Sequence, residues 1–393
     1  MEELKKHAVF NVIRRETERI KQNHAYRFLL FSGPLIGILL LYLIFRQGTT
    51  RDFPIAVVDE DNSVLSVKIS NALDAASDVA VSYKPVDIFQ ARELLQQAKV
   101  DAIILLPDDL EKSVFQGTKA SVPVYINGTN VLKAGIIQRS VLTTLKTISG
   151  GIQMKKLILS GKNQQQAMAR VMPVRLDKHV LFNPYSNYNY FLNSALLYVM
   201  LYLFTFLASI YTFGNELKRG TGPGLLAAGD NSVRLSVLGK MLPYTIIFWG
   251  FAMFINFLLY EVEGMPLNGS YTFIFIGQFI TILTYQLMGI MLVAATSNLR
   301  LSLSLGGAYV MMGITFSGLT FPTEGMPLLA RYFTVLFPFT WWEKIMISQS
   351  MRGAPISEAL PYLCYILLFM VVSIAFLPLY KRCLKEEKYW GKK

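Results

Sequence analysis

The sequence predicts an α-helical membrane protein: six transmembrane helices with cytoplasmic termini, plus an α/β extracytoplasmic domain inserted between helices one and two. Three observations predict it. The chain is 53% hydrophobic and 16% charged with mean hydropathy +0.39, whereas a soluble domain carries about 25% charged residues. Six runs without Asp, Glu, Lys or Arg approach the length of about 20 residues that crosses a bilayer as a helix. The basic segments flanking these runs all fall on one side if the chain crosses six times, which makes that side cytoplasmic.

Residues 1–27 are rich in Lys and Arg, including Arg14, Arg15, Arg19, Lys21 and Arg27, and precede the first run, Phe28–Phe45. That run reads as a signal anchor rather than a cleaved signal peptide. The basic region before it is long and contains acids, and its exit, FRQGTTRDF, has no small-residue cleavage site.

Residues 46–190 have soluble composition and form the inserted domain. IAVVD (55–59), VAVSY (79–83), DAIILLP (101–107) and VPVYING (122–128) read as strands. VLSVKISNALDAA (64–76), DIFQARELLQQA (87–98) and DDLEKSVFQG (108–117) read as the helices between them, and the alternation implies an α/β layer. From Thr129 to Ser160, Val131, Ile136, Val141, Leu145, Ile148, Ile152 and Leu159 recur at helical spacing, predicting a long stalk or hairpin. A Gln-rich stretch follows, then Val174–Phe182, read as a returning strand.

The remaining runs are Phe191–Phe213, Met241–Tyr260, Tyr271–Ser297, Leu301–Phe321 and Leu360–Tyr380, so residues 191–380 hold helices two to six. The cytoplasmic loop 214–240 combines a charged stub, the glycine turn GTGPG and a short amphipathic segment, with Asp230 or Asn231 expected to cap a small helix beginning near Ser232. Residues 322–359 contain two apolar pieces too short to cross, which predicts an external re-entrant or interfacial hairpin with Trp341 and Trp342 in the interfacial belt. Residues 381–393 are a basic cytoplasmic tail.

Catalytic chemistry is not expected in this chain, and no catalytic or metal-ligating residue is assigned. It has no G-x-x-x-x-G-K-[ST], no H-E-x-x-H and no G-x-S-x-G. Asp59, Glu60, Asp61, Asp108 and Asp109 cluster at strand ends, where turn and cap roles are the default. The two cysteines, Cys364 and Cys383, lack a CxxC or His neighbour, so neither a metal site nor a disulfide is read from them. The net charge of +12 is spread around apolar runs rather than gathered on a folded module, which excludes nucleic acid as the partner.

Two helical faces stand out. In helix two, Ser194, Tyr198, Tyr202, Thr205, Ser209 and Thr212 form one polar stripe; in helix five, Ser302, Gly306, Tyr309, Gly313, Ser317 and Thr320 form a small, polar one. Such faces suit close helix packing. The sharper expectation is a translocation pathway or dimer interface, with helices two and five of two subunits facing each other.

The loop GNELKRGTGPGLLAAGDNSVRLSVLGK resembles that of type-2 ABC transporter permeases, the membrane subunits of bacterial multidrug and polysaccharide exporters, in which an acidic-basic stub ends in Gly-Thr and a short helix leads to Gly-Lys. Glu216, Arg219, Gly220, Thr221, Gly239 and Lys240 carry the match, and by that resemblance they and Lys218 carry the coupling to an ATPase. Gly222, Pro223 and Gly224 depart from the family pattern and imply a tighter turn. MPLNGS (265–270) matches as well, as does SGLTFPTEGMPLLARYFTVLFPFTWW (317–342), with Gly318, Pro322, Met326, Pro327 and Pro338 placed as in the family's external hairpin. The resemblance implies a cytoplasmic interface helix in residues 1–27, with Leu4, Ala8, Val9, Val12, Ile13 and Ile20 as its apolar face.

By the same resemblance the chain is a permease in the inner membrane of a bacterium, moving an amphipathic or lipid-like substrate outward. A separate ATPase subunit would bind ATP and Mg, and this chain would hold no cofactor. A second permease, identical or paralogous, and the lipid bilayer complete the expected partners, with a periplasmic adaptor as a further candidate. The competing reading is a membrane-anchored receptor or scaffold whose outer domain binds a ligand or adaptor without transport.

Overall fold

The computed structural model describes residues 2–174, 176–184 and 186–391, with residues 2–6 described by backbone alone. It divides into two compact units, 1–48 with 180–393, and 49–179.

The larger unit holds, among the described residues, six helices long and apolar enough to cross a membrane: span one His24–Phe45, span two Asn189–Lys218, span three Val233–Val262, span four Tyr271–Thr296, span five Leu299–Phe316 and span six Ile356–Lys385. Spans one, two, three and six contain their apolar runs and extend them, whereas span four stops one residue before the predicted Ser297 and span five ends at Phe316 rather than Phe321. Ser270 accepts from Phe273 N to open span four, and Asn298 accepts from Leu301 N to open span five. Spans two and four form the centre, with 67% and 61% of their apolar windows buried, against 22% for spans one and six. Ahead of span one, helix α1 (Glu2–Gln22) lies against span three.

The smaller unit is a four-stranded sheet, β1 Phe53–Asp59, β2 Val79–Tyr83, β3 Ala102–Leu106 and β4 Val124–Ile126, in the order β2-β1-β3-β4. β1 pairs in parallel with β2 and β3, and β4 runs antiparallel to β3. Three helices follow the first three strands: α2 Val64–Asp74, α3 Ile88–Gln96 and α4 Leu110–Gln116. The long α5, Val131–Leu159, and the short α6, Gln164–Val171, complete the unit. One sheet face buries Ile55, Val57, Ile104 and Leu106 with Leu65, Ile69, Leu73, Ile137 and Val141, and the other buries Val58 and Ile103 with Ala91. Of the strand-end carboxylates, Asp59 and Asp61 do turn work, whereas Asp109 sits at the N-cap of α4 without a side-chain capping bond. Asp59 accepts from Asn62 N at 2.9 Å and from Ser66 Oγ at 2.7 Å, and Asp61 accepts from Glu111 N at 3.2 Å.

Several expectations are corrected here. Described residues 174 and 176–182 form no strand: Val174 and Leu176 are 85% and 82% exposed, so no burial favours pairing. Gly222-Pro223-Gly224 is not a tight turn but the first turn of helix α7, Gly222–Ala228. Proline at that position loses no helical hydrogen bond, and the chain reversal is made one step earlier by Gly220 at φ +65°. Asp230 and Asn231 sit at φ 54° and cap nothing; Ser232 accepts from Leu235 N, and the helix it opens is span three itself. Trp342 is fully buried rather than interfacial, with its ring 5.2 Å from Tyr198 and 6.1 Å from Tyr202.

Both stripes are largely packed within the chain, as close helix packing predicts. In span two, Ser194, Tyr198, Tyr202, Thr205, Ser209 and Thr212 are all buried inside this one chain. In span five, Ser302, Gly306 and Gly313 are buried and Tyr309 is half-buried; just beyond its end, Ser317 is buried and Thr320 exposed. Each face packs within the subunit, but not against the other: a Cβ at Gly306 would lie 2.4 Å from Ile210, which is outside the span-two stripe. Ser209 donates to the Gln286 carbonyl of span four at 2.6 Å. Small residues there let backbones approach and hydroxyls bond across helices.

Candidate coupling site

Where span two ends, the chain puts charge into the bundle. Glu216 is fully buried, as are Lys240 near the start of span three and Glu16 on α1. A buried charge persists only when paired, because its desolvation costs several kcal/mol. The pairing comes from three elements. Arg15, Glu16 and Arg19 lie at i, i+1 and i+4 on α1 and project together. Arg15 clamps Glu216 with both arms, Nη1–Oε1 at 2.8 Å and Nη2–Oε2 at 2.9 Å, the bidentate geometry that suits guanidinium to carboxylate. Arg19 also pairs with Glu216. Lys240 Nζ bridges both carboxylates, 2.7 Å from Glu16 and 2.6 Å from Glu216, and Tyr244 donates to Glu16 at 3.0 Å. Thr221 joins from the loop: Arg19 donates to its hydroxyl at 3.0 Å and Arg15 to its carbonyl at 3.3 Å. Burial disfavours the charge on Arg15, but the hydrogen bond and negative charge of Glu216 outweigh it and hold the guanidinium above its ordinary range.

Packing fixes the same elements. A Cβ at Gly239 would lie 2.8 Å from Val12 Cβ and 2.9 Å from the Val9 carbonyl, so only glycine lets α1 lie this close to span three. Ala8 and Val12 are buried on that face and Val9, Ile13 and Ile20 half-buried; the Leu4 side chain lies outside the described residues. On α7, a Cβ at Gly222 would meet the Leu384 backbone at 2.5 Å. The end of the chain closes over the loop: Trp390 lies against Gly220, and Gly391 N donates to the Leu217 carbonyl at 3.2 Å.

The residues assigned to ATPase coupling therefore divide. Glu216, Gly239 and Lys240 are interior, Thr221 and Gly220 are half-buried, and Lys218 and Arg219 are exposed. Pro223, Gly224, Ala227, Asp230 and Arg234 add to the exposed surface around α7. Sequence reading missed Arg15, Glu16 and Arg19 as partners. The available signal was chemical: an acid and a base, Glu216 and Lys240, each adjoining an otherwise uncharged run, require partners.

Of the hairpin residues, Met326 and Pro338 are buried, Gly318 is half-buried, and Pro322 and Pro327 are exposed. Gly318 turns at φ +101°, Met326 is buried, and Pro338 opens helix α9, Pro338–Met346, after the short α8, Leu328–Thr334. The segment 265–270 is clamped to the chain beyond α9. Asn268 N donates to the Ser350 carbonyl at 3.0 Å, Gly269 N to the Gln349 carbonyl at 2.8 Å, and Asn268 Nδ2 to the Met351 carbonyl at 2.7 Å. In α9, burial pushes the Glu343 carboxyl up to about 7, against the Ser317 hydroxyl and Lys344, which pull it down.

A family model described as ABC-2 family transporter protein matches residues 24–377. No curated protein matches the chain.

Proposed function

The chain belongs to the ABC-2 transporter family and is the membrane component of an ABC transporter, and from that premise we propose that it is an exporter permease gripped at its basic end by a cytoplasmic ATPase. In this reading α7 and the exposed Lys218, Arg219 and Arg234 are the handle that the ATPase holds. The termini are cytoplasmic, and ATP with Mg binds in the companion chain. A second permease copy or paralogue completes the pathway in a bacterial inner membrane.

One observation carries this: Glu216, Lys240 and α1 are locked into a buried ion cluster directly beneath the exposed handle. A pull on α7 is thereby shared among α1, span two and span three, which then move as a body, and rigid-body movement is how packed helices change state. The amphipathic or lipid-like substrate class rests on the scarcity of charge within the spans. Fatty or amphipathic cargo needs no ionic partner along its route.

The test is purification of the full chain from its native membrane in mild detergent. A Walker-motif ATPase should accompany it, and Lys218→Glu with Arg219→Glu should release that ATPase while leaving the permease folded. In inside-out vesicles, ATP should drive uptake of an amphipathic dye. Labelling of a Lys218→Cys variant by an impermeant thiol reagent from outside intact cells would overturn the orientation, and transport without any ATPase would overturn the assignment.

A further inference from the structure

The unit formed by residues 49–179 contains a cavity of about 600 Å³, within the 300–1,000 Å³ typical of small-molecule sites. It opens between α2, α4 and α5. Its floor is apolar: Leu65 and Ile69 from α2, Val114 from α4, and Leu145, Ile148 and Ile152 from α5. All but Leu65 and Ile69 are only half-buried, so the sheet's core is left incompletely covered along this groove. Three cations stand at its wall, Lys119, Lys146 and Lys156, and no acid lines it. Lys156 donates one proton to the Val114 carbonyl, which holds the ammonium at the groove and leaves two donors for another acceptor.

The charge around the groove is not a local accident. From Asp52 to Glu111 the chain carries twelve acids against four bases, whereas from Lys112 to Arg170 it carries nine bases and no acid. The one cation of α5 that is paired with an acid among the described residues is Lys133, held by Asp101 at 2.8 Å. The half of the unit that supplies α5 and the 117–120 wall is therefore positive, and that field favours an anion at the groove.

We propose that this unit binds a single-chain amphiphilic anion, its hydrocarbon along the Leu65–Ile152 floor and its head on Lys119, Lys146 and Lys156. An apolar ligand would leave the three ammonium groups unused, and a small polar anion would leave the floor wet. A chain of about twelve carbons with a carboxylate at one end satisfies both. The inference does not depend on transport or on any ATPase.

The test uses the full chain in lipid nanodiscs and a dodecanoate probe carrying a photoreactive diazirine at mid-chain, with cross-links mapped by mass spectrometry. Labelling should fall on peptides spanning residues 64–74, 110–122 and 145–156. Unlabelled dodecanoate should compete, and dodecanol or dodecyltrimethylammonium should compete at least ten-fold more weakly. Lys119→Glu with Lys146→Glu should cut labelling at these peptides at least ten-fold, and Lys119→Arg with Lys146→Arg should retain it. Ser149→Trp, which fills the groove, should also abolish it, with hydrogen exchange of the sheet unchanged as the control for folding. Labelling confined to the spans, equal competition by the cationic amphiphile, or full labelling of the charge-reversed variant would each overturn the proposal.

Discussion

The ion cluster at Glu216 gives the most demanding prediction. It holds three cations, Arg15, Arg19 and Lys240, against two carboxylates, Glu16 and Glu216, for a net charge of +1. Glu216→Gln raises this to +2 with no change of shape. At the 2.8 Å separation of Arg15 and Glu216, the gross attraction lost is roughly 6 kcal/mol for an effective dielectric of about 20. Relaxation and water entry return part of it, and breaking one partner of a buried pair typically costs about 3–5 kcal/mol. The cost falls on the docking of α1, because its two arginines lose their common acceptor. Amide exchange measured by mass spectrometry on the nanodisc-embedded protein should therefore speed up in residues 8–20 by roughly 150- to 4,000-fold, at 1.4 kcal/mol per decade. Lys240→Met leaves a cluster of net zero charge and should cost less. The double variant restores +1 and should be milder than the sum of the two single changes, the non-additivity expected of residues in one network. Wild-type exchange in Glu216→Gln, or a double variant worse than that sum, would refute the account of the cluster as the tie between α1 and the spans.

Other consequences are measurable on the same preparation. Gly239→Leu drives a side chain into Val12 and the Val9 carbonyl; overpacking of this kind costs about 1–3 kcal/mol, and α1 should exchange faster while span four does not. Trp342→Ala empties the pocket formed with Tyr198, Tyr202 and Gly277 and should lower stability by about 3–5 kcal/mol, read as a fall in melting temperature. Glu343 gives a pH signature. Its folded carboxyl, near 7, lies above the ordinary 4.5, so it favours the folded state below about pH 4.5 and loses that advantage as pH rises to 7. Glu343→Gln should then stabilise the protein by up to about 3 kcal/mol at pH 8 and leave it unchanged at pH 4.

Much of the architecture was legible because membrane spans and α/β layers announce themselves locally. Uncharged runs and basic flanks mark the spans, and IAVVD, VAVSY and AIILL mark strands through β-branched density. Sequence reading failed where the outcome depended on a distant partner. Trp342 looked interfacial because Tyr198, Tyr202 and Gly277, which enclose it, lie far away in the chain. Val174 and Leu176 looked like part of a strand because their apolar type was visible but their exposure was not. The polar stripe of span two was legible as a stripe, yet whether a helix turns it inward or outward is decided by which neighbours cover it. The candidate site was half legible: Glu216 and Lys240 stood out by type and place, whereas Arg15 and Glu16 could be paired with them only in three dimensions.

Trp390 resting on Gly220, with Gly391 bonded to the Leu217 carbonyl, has a practical corollary. Residues 390–391 therefore form part of the wall beside Gly220 and α7. A reporter or purification handle fused there would press on that wall. Labels belong instead on exposed positions of the α/β unit, such as Val86 or Val64.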